Sequence, residues 1–263
     1  MSIKNIRHVC GLSGGKDSAA LAIYLKRQGK YPDMEYYFSD TGCELPETYH
    51  FLDKLEAYLG KKIVRLGSGA TFEHHLFMNN NMLPSPKKRW CTVKMKLEPF
   101  EKFAGIDDVV KSYIAIRGDE HREGYISSKP NIRPVFPFVL DGIVREDVFQ
   151  ILTETIGVPE YYKWRSRSGC YFCFFQRREE WLGLYDNHPN LFQKAMEFEK
   201  VNSNENGYTW IEGITLKELL KKRNSIIENS ENRRKNGSNK IWQEKLLEYG
   251  DDPDDQGCLI CSL

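Results

Sequence analysis

The sequence is first informative for what it lacks. None of its 263 residues form an apolar run approaching the roughly 20 that a bilayer crossing needs, which argues against a membrane partner. The start, Met1-Ser2-Ile3-Lys4-Asn5, has no signal-peptide core or cleavage pattern, so a cytoplasmic location is expected. There is almost no net charge. Lys plus Arg is 38 and Asp plus Glu is 37, giving +1, which excludes a protein that coats nucleic acid by bulk charge alone. A local basic face stays compatible with that balance. No internal repeat or low-complexity segment is present. The seven cysteines are an odd number in an expected reducing compartment, so they read as thiols, metal ligands or redox groups rather than structural disulfides. What is present, 40% hydrophobic and 29% charged residues, describes a globular chain long enough to bury a core without staples.

The first part of the chain alternates short β runs with helical patterns. Ile6 to Leu12, Tyr36-Tyr37-Phe38, Ile63 to Leu66 and Ser112 to Ile116 read as strands. Leu21, Tyr24 and Leu25 mark one helix, and Phe51, Leu55 and Tyr58 a second, with Pro46 suited to its first turn. Such alternation predicts an α/β fold, a parallel sheet flanked by helices on both faces. After about residue 140 no strand is evident. Val148, Ile151 and Leu152, then Phe192, Ala195 and Met196, then Ile214 to Ile227, all suggest helices. The expected division is an α/β domain over 1–165 and a mostly helical, cysteine-containing region over 166–263. Glu228 to Asn239 reads as a mobile loop, and Asp251 to Asp255 as an acidic turn.

The strongest signal is Ser13-Gly14-Gly15-Lys16-Asp17-Ser18, directly after the first strand and opening the first helix. Glycines let the backbone approach a phosphate, and the N–H groups of a helix start favour an anion. Ser13 and Ser18 add hydroxyls, Lys16 adds a charge, and Asp17 would help hold magnesium or cap the helix. This is not the Walker pattern, because only three residues separate Gly11 from Gly15 and Asp17 follows the lysine. The segment resembles the SGGxDS signature of the PP-loop ATP pyrophosphatases, and within them the PAPS (phosphoadenosine phosphosulfate) reductase-like group. The resemblance implies an adenine nucleotide alpha hydrolase-like, Rossmann-like fold, ATP with Mg2+ as ligand, and cleavage to AMP and pyrophosphate that adenylates a substrate. True PAPS and APS reductases usually carry a degraded form of this loop, so the intact one points to ATP chemistry.

Two further segments are expected at the same sheet edge, where open parallel sheets bind ligands. Asp40-Thr41-Gly42 begins a stretch resembling the family's DTGxxFPET, with Leu45 in place of the aromatic. These three residues are expected to line the nucleotide pocket. Ile116-Arg117-Gly118-Asp119-Glu120 resembles GIRxDES. Arg117, Arg122 and Arg133 are candidates to grip an anionic substrate, against the plain reading of ion pairs with Asp119, Glu120 and Glu123. Lys16, Asp17 and Arg117 are the candidate catalytic residues. His121 reads as an ordinary surface residue.

Arg89-Trp90-Cys91 through Pro99 resembles the CCxxRKxxPL stretch of iron–sulfur APS reductases, with Thr92 where a second cysteine stands, and Gly169-Cys170-Tyr171-Phe172-Cys173 resembles their GCxxC pair. The resemblance implies [4Fe–4S] cluster ligands at Cys91, Cys170 and Cys173, and Cys261 of the terminal Cys258-Leu259-Ile260-Cys261 is expected as the fourth. Three alternatives remain open: Cys258 in that place, a cluster with one open iron, or a zinc ion on Cys170, Cys173, Cys258 and Cys261. Unliganded thiols are the plain reading. Phe174, Phe175 and Trp181 would shield a centre from water or simply pack. Basic groups at Lys87-Lys88-Arg89, Arg165 to Arg167 and Arg177-Arg178 flank the cysteines, as solvated faces or as a dock for a nucleic-acid substrate. The function expected is an ATP-dependent enzyme that transfers sulfur, served by a sulfur-donor or redox partner protein. The competitors are a PAPS or APS reductase and a nucleotide-binding adaptor without turnover.

Overall fold

A computed structural model describes residues 5–120, 127–199 and 207–236. Its centre is a five-stranded sheet in which every pairing is parallel, in the order β3-β2-β1-β4-β5. The strands are β1 (Ile6–Leu12), β2 (Glu35–Ser39), β3 (Ile63–Leu66), β4 (Val109–Tyr113) and β5 (Ile132–Val135). β1 lies in the middle, and its neighbours β2 and β4 leave it in opposite directions across the sheet. Ligands of open parallel sheets bind where the order reverses in this way.

Alternation along the strands divides the core into two faces. Cys10 and Leu12 of β1, Tyr36 and Phe38 of β2 and Tyr113 of β4 point to one face. There they pack with Leu21 and Leu25 of α1 (Lys16–Gln28), Phe51 and Leu55 of α2 (Pro46–Leu59) and Val148 and Leu152 of α7 (Arg145–Thr153). Val9, Tyr37 and Val110 point to the other, against Phe100 and Ala104 of α5 (Glu98–Ala104). The Tyr37 and Phe100 rings stack at 4.9 Å. Cys10 belongs to this core, and burial pushes its thiol up to about 12.

A further apolar cluster joins segments distant in sequence. Phe72 and Leu76 of α3 (Phe72–Met78) and Met95 meet Tyr161, Phe172, Trp181 of α8 (Arg178–Asn187), Phe192 of α9 (Pro189–Phe198) and Trp210. Met95 lies in a π-helical turn, Val93–Leu97, between α4 (Trp90–Thr92) and α5. Such turns re-aim side chains and often mark functional sites.

Three sequence expectations need correction. The fourth strand was placed at Ser112 to Ile116, but pairing runs over Val109–Tyr113. Ile114, Ala115 and Ile116 are buried beyond its end, so their hydrophobicity reports burial and not ladder pairing. The helix expected over Ile214 to Ile227 is two helices, α10 (Leu216–Lys221), capped by the Thr215 side chain, and α11 (Arg223–Asn236). The loop expected over Glu228 to Asn239 is, up to Asn236, part of α11. That helix is held to α8 by Arg223, which donates to both oxygens of Asp186 at 2.8 Å, and by Ile226, buried in the cluster. Tertiary contact here overrides weak local propensity. The acidic turn at 251–255 lies outside the described residues. Among the described residues, no helix is long and apolar enough to cross a membrane.

Candidate nucleotide and thiol site

The loop after β1 is built by contacts that only glycine allows. Gly14 has a φ of +71°, and a Cβ on it would run into the methyl group of Thr48 in α2. A Cβ on Gly15 would lie 2.6 Å from the hydroxyl of Ser168. Gly15 is the N-cap of α1, with no side chain capping the helix start. Three hydroxyls gather beside it. Ser13 Oγ and Ser18 Oγ are 3.1 Å apart, Ser168 donates to Ser13 Oγ at 3.3 Å, and the Gly15 amide also donates to Ser13 Oγ at 3.3 Å.

Behind the hydroxyls lie three buried cations, Lys16 (6% exposed), Arg117 (4%) and Arg145 (5%). Asp17 bridges the first two: Lys16 Nζ donates to Oδ2 at 2.6 Å and Arg117 Nη1 to Oδ1 at 3.0 Å. Arg117 is brought here because it follows β4, and it also pairs with Asp119 at 2.9 Å and Glu120 at 2.7 Å. Burial pushes the Lys16 ammonium below its usual value, and Arg117 and Arg145 push the same way against Asp17. Burial would raise the Asp17 carboxyl, but Lys16 and Arg117 overcome it and hold the group well below the usual range. Both Asp17 oxygens are occupied by ion pairs. In this structure the residue joins the two cations and does not cap α1.

Asp40, Thr41 and Gly42 follow β2 at the same edge of the sheet. Asp40 fixes the turn, accepting from the Gly42 amide at 2.9 Å and from Tyr49 at 2.8 Å. Thr41 faces another way. Its hydroxyl donates to buried Glu44 at 2.7 Å and lies 3.2 Å from Cys170 Sγ. Residues 43–44 and 170–171 are also joined through the backbone, by the Glu44–Cys170 bridge and by the Tyr171 amide donating to the Cys43 carbonyl at 2.8 Å.

Thr41 opens onto a cleft of about 480 Å³, part of it open solvent, which Cys91, Cys170 and Cys173 all line. Phe72, Phe172, Phe174 and Met95 make its apolar wall, and Lys96 reaches it from the π-helical turn. Burial, with Glu44 close by, raises the Cys170 thiol. Burial likewise raises the Glu44 carboxyl, against the pull of Lys96. Three thiols on one cleft are the donor type for a thiolate-bound metal. Among the described residues, however, no three Cys, His, Asp or Glu side chains are grouped closely enough to hold an ion. Cys43 belongs to the apolar cluster.

Residues 7–129 match the family model for the phosphoadenosine phosphosulfate reductase domain. They form a PAPS reductase-like domain. Its fold is the nucleotide-binding PP-loop fold, with Ser13–Ser18 at the central strand. The uncharacterized protein MJ0066 of Methanocaldococcus jannaschii is 30% identical over 195 residues, 69% of this chain and 39% of that one. MJ0973 of the same organism is 27% identical over 209 residues, 75% and 48% of the two chains. The chain thus spans less than half the length of these relatives. A solved structure of PAPS reductase from Candida auris, a phosphate complex, gives a TM-score of 0.49 at 15% identity, over 64% of this chain and 82% of that one.

The structure gathers the residues of the loop and Arg117 into one group, and Cys91 of the matched stretch with Cys170 and Cys173 beyond it into a neighbouring one. Arg133 is not among them. It is exposed on edge strand β5, opposite Lys111, and Lys111 is paired with His8. That level is four residues short of the end of β1, about 13 Å at strand rise, so the side chain starts well below the site. Arg122, His121, Cys258 and Cys261 lie outside the described residues. Sequence reasoning missed Arg145, Glu44, Tyr161, Tyr162 and Ser168. The one available signal was the Tyr161-Tyr162 pair, an aromatic doublet shortly before the GCxxC segment; Arg145 looks like any charged residue opening a helix.

Proposed function

We propose that the chain binds ATP with its phosphates on the Ser13–Ser18 loop, splits it to AMP and pyrophosphate while adenylating a substrate, and transfers sulfur to that substrate at the thiol cleft. The observation that carries this reading is the shared wall of the two sites: Ser168 reaches Ser13, and Thr41 reaches Cys170. An activated substrate leaving the loop would already lie beside the thiols.

The roles follow from charge and burial. Lys16 is buried and shares Asp17 with Arg117, so a phosphate oxygen beside it gives the ammonium a negative partner of its own. Arg117 keeps Asp17 in place when Lys16 turns to the nucleotide. The start of α1 adds its amides and dipole. Magnesium would arrive on the phosphate oxygens and offset charge on the departing pyrophosphate. Cys91, Cys170 and Cys173, drawn closer together than they stand here, would hold the [4Fe–4S] cluster, with Cys261 as the fourth ligand from the tail. With four cysteine ligands every iron is coordinated, so carriage of the transferred sulfur would call for the alternative in which Cys91, Cys170 and Cys173 alone hold the cluster and one iron stays open. Lys87 and Lys88 are exposed, and the Arg89 and Arg167 guanidinium groups lie 5.2 and 5.3 Å above Phe175 of the cleft. This basic rim supports a nucleic-acid acceptor.

The test is anaerobic purification followed by assay. The expected results are a brown protein with about four irons per chain and AMP with pyrophosphate from ATP when the acceptor is present. A colourless zinc protein would replace the cluster, and no AMP with any acceptor would overturn the enzymatic reading in favour of a nucleotide-binding adaptor. The match of residues 7–129 favours one competing reading, reduction of a sulfonucleotide. Sulfite release with thioredoxin as reductant, without AMP from ATP, decides for it.

A further inference from the structure

The phosphate loop is held by a segment 146 to 147 residues further along the chain. The single-turn helix Glu160–Lys163 carries Tyr161 and Tyr162, whose rings lie 4.8 Å apart beneath the loop. Tyr161 is 1% exposed, and its hydroxyl donates to the Gly14 carbonyl at 2.7 Å. A trans peptide points its C=O and its N–H in opposite directions. Holding the Gly14 carbonyl on the protein side therefore turns the Gly15 amide to the other side, where it meets Ser13 Oγ among the gathered hydroxyls. A peptide between two glycines has little of its own to resist a flip. Flipped, it would present a carbonyl oxygen to the bound anion in place of an N–H.

From this geometry we infer that Tyr161 is a positioning residue for phosphate. Its hydroxyl locks the Gly14–Gly15 peptide so that the Gly15 amide faces the ligand. The inference rests on reading the loop as a phosphate site, but not on turnover or sulfur transfer.

The experiment is Tyr161→Phe, which keeps the ring and removes the hydroxyl. Titration calorimetry with ATP, pyrophosphate and adenosine should show ATP and pyrophosphate binding about tenfold more weakly, the loss of one hydrogen bond, with adenosine unchanged. Equal weakening of all three ligands, or no weakening, overturns the inference. A second measurement needs no variant. In wild-type protein labelled with nitrogen-15 glycine, the Gly15 amide resonance should shift on adding pyrophosphate, and a resonance that stays put overturns it. Wild-type protein that binds ATP but never yields AMP would remove the proposed reaction and leave Tyr161 in its role.

Discussion

The phosphate loop and the thiol cleft adjoin, yet they are made in different ways. The loop is six consecutive residues, and its shape is dictated largely by what two glycines permit between a strand and a helix. The cleft is assembled from the end of β2, the α4 segment with its π-helical turn, and residues 169–175. Nothing local forces those pieces together. They meet because Phe72, Met95, Phe172 and Trp210 bury one another. A contiguous site can therefore be damaged by one methyl group, while a distributed site fails when its packing or its anchoring hydrogen bonds fail.

Gly14→Ala gives the largest expected effect on this contrast. It adds a Cβ at positive φ and against Thr48, so a stability loss of about 2–4 kcal/mol is expected, with ATP binding abolished by calorimetry. Glu180→Ala should strike the other region. Glu180 is buried and accepts from the Ser166 amide at 2.6 Å, from the Ser166 hydroxyl, and from the Arg177 amide at 3.1 Å, which ties both flanks of the cysteine segment. Removing it should cost about 2–3 kcal/mol by thermal unfolding and speed labelling of Cys170 and Cys173 by a thiol reagent. ATP affinity should change little, and an equal loss there would erase the distinction between the two regions.

Much of the first region was legible in advance because its signals are local. β1 and β3 and the start of α2 follow directly from apolar runs and from Pro46. β5 was not legible: Ile132-Arg133-Pro134-Val135 is four residues long and contains a proline, which only an edge strand tolerates. The three cleft cysteines could be named from their resemblance to cluster-binding segments. Glu44 and the buried Arg145 could not, and Thr41, expected at the nucleotide pocket, was not foreseen beside Cys170, because that contact joins residues far apart in sequence.

Acid should act mainly on the loop. The folded Asp17 carboxyl titrates below the unfolded value of about 3.9. Its contribution is therefore fully present above that value and is lost as pH falls through the lowered folded one. Asp17→Asn should flatten the acid limb of the melting curve, and an unchanged limb would show that the ion pairs with Lys16 and Arg117 add no net stability. The smallest effect is expected at exposed Arg133. Arg133→Ala should stay within about 0.5 kcal/mol in stability and leave ATP affinity as it was. A clear loss of affinity would mean that the site reaches further down β5.

The short backbone pairing of Cys43 and Glu44 with Cys170 and Tyr171 has a mechanical consequence. A displacement of the tip of β2 would be expected to move the Cys170 backbone with it. The tip of β2 and Cys170 are thus tied by backbone as well as by the Thr41 side chain.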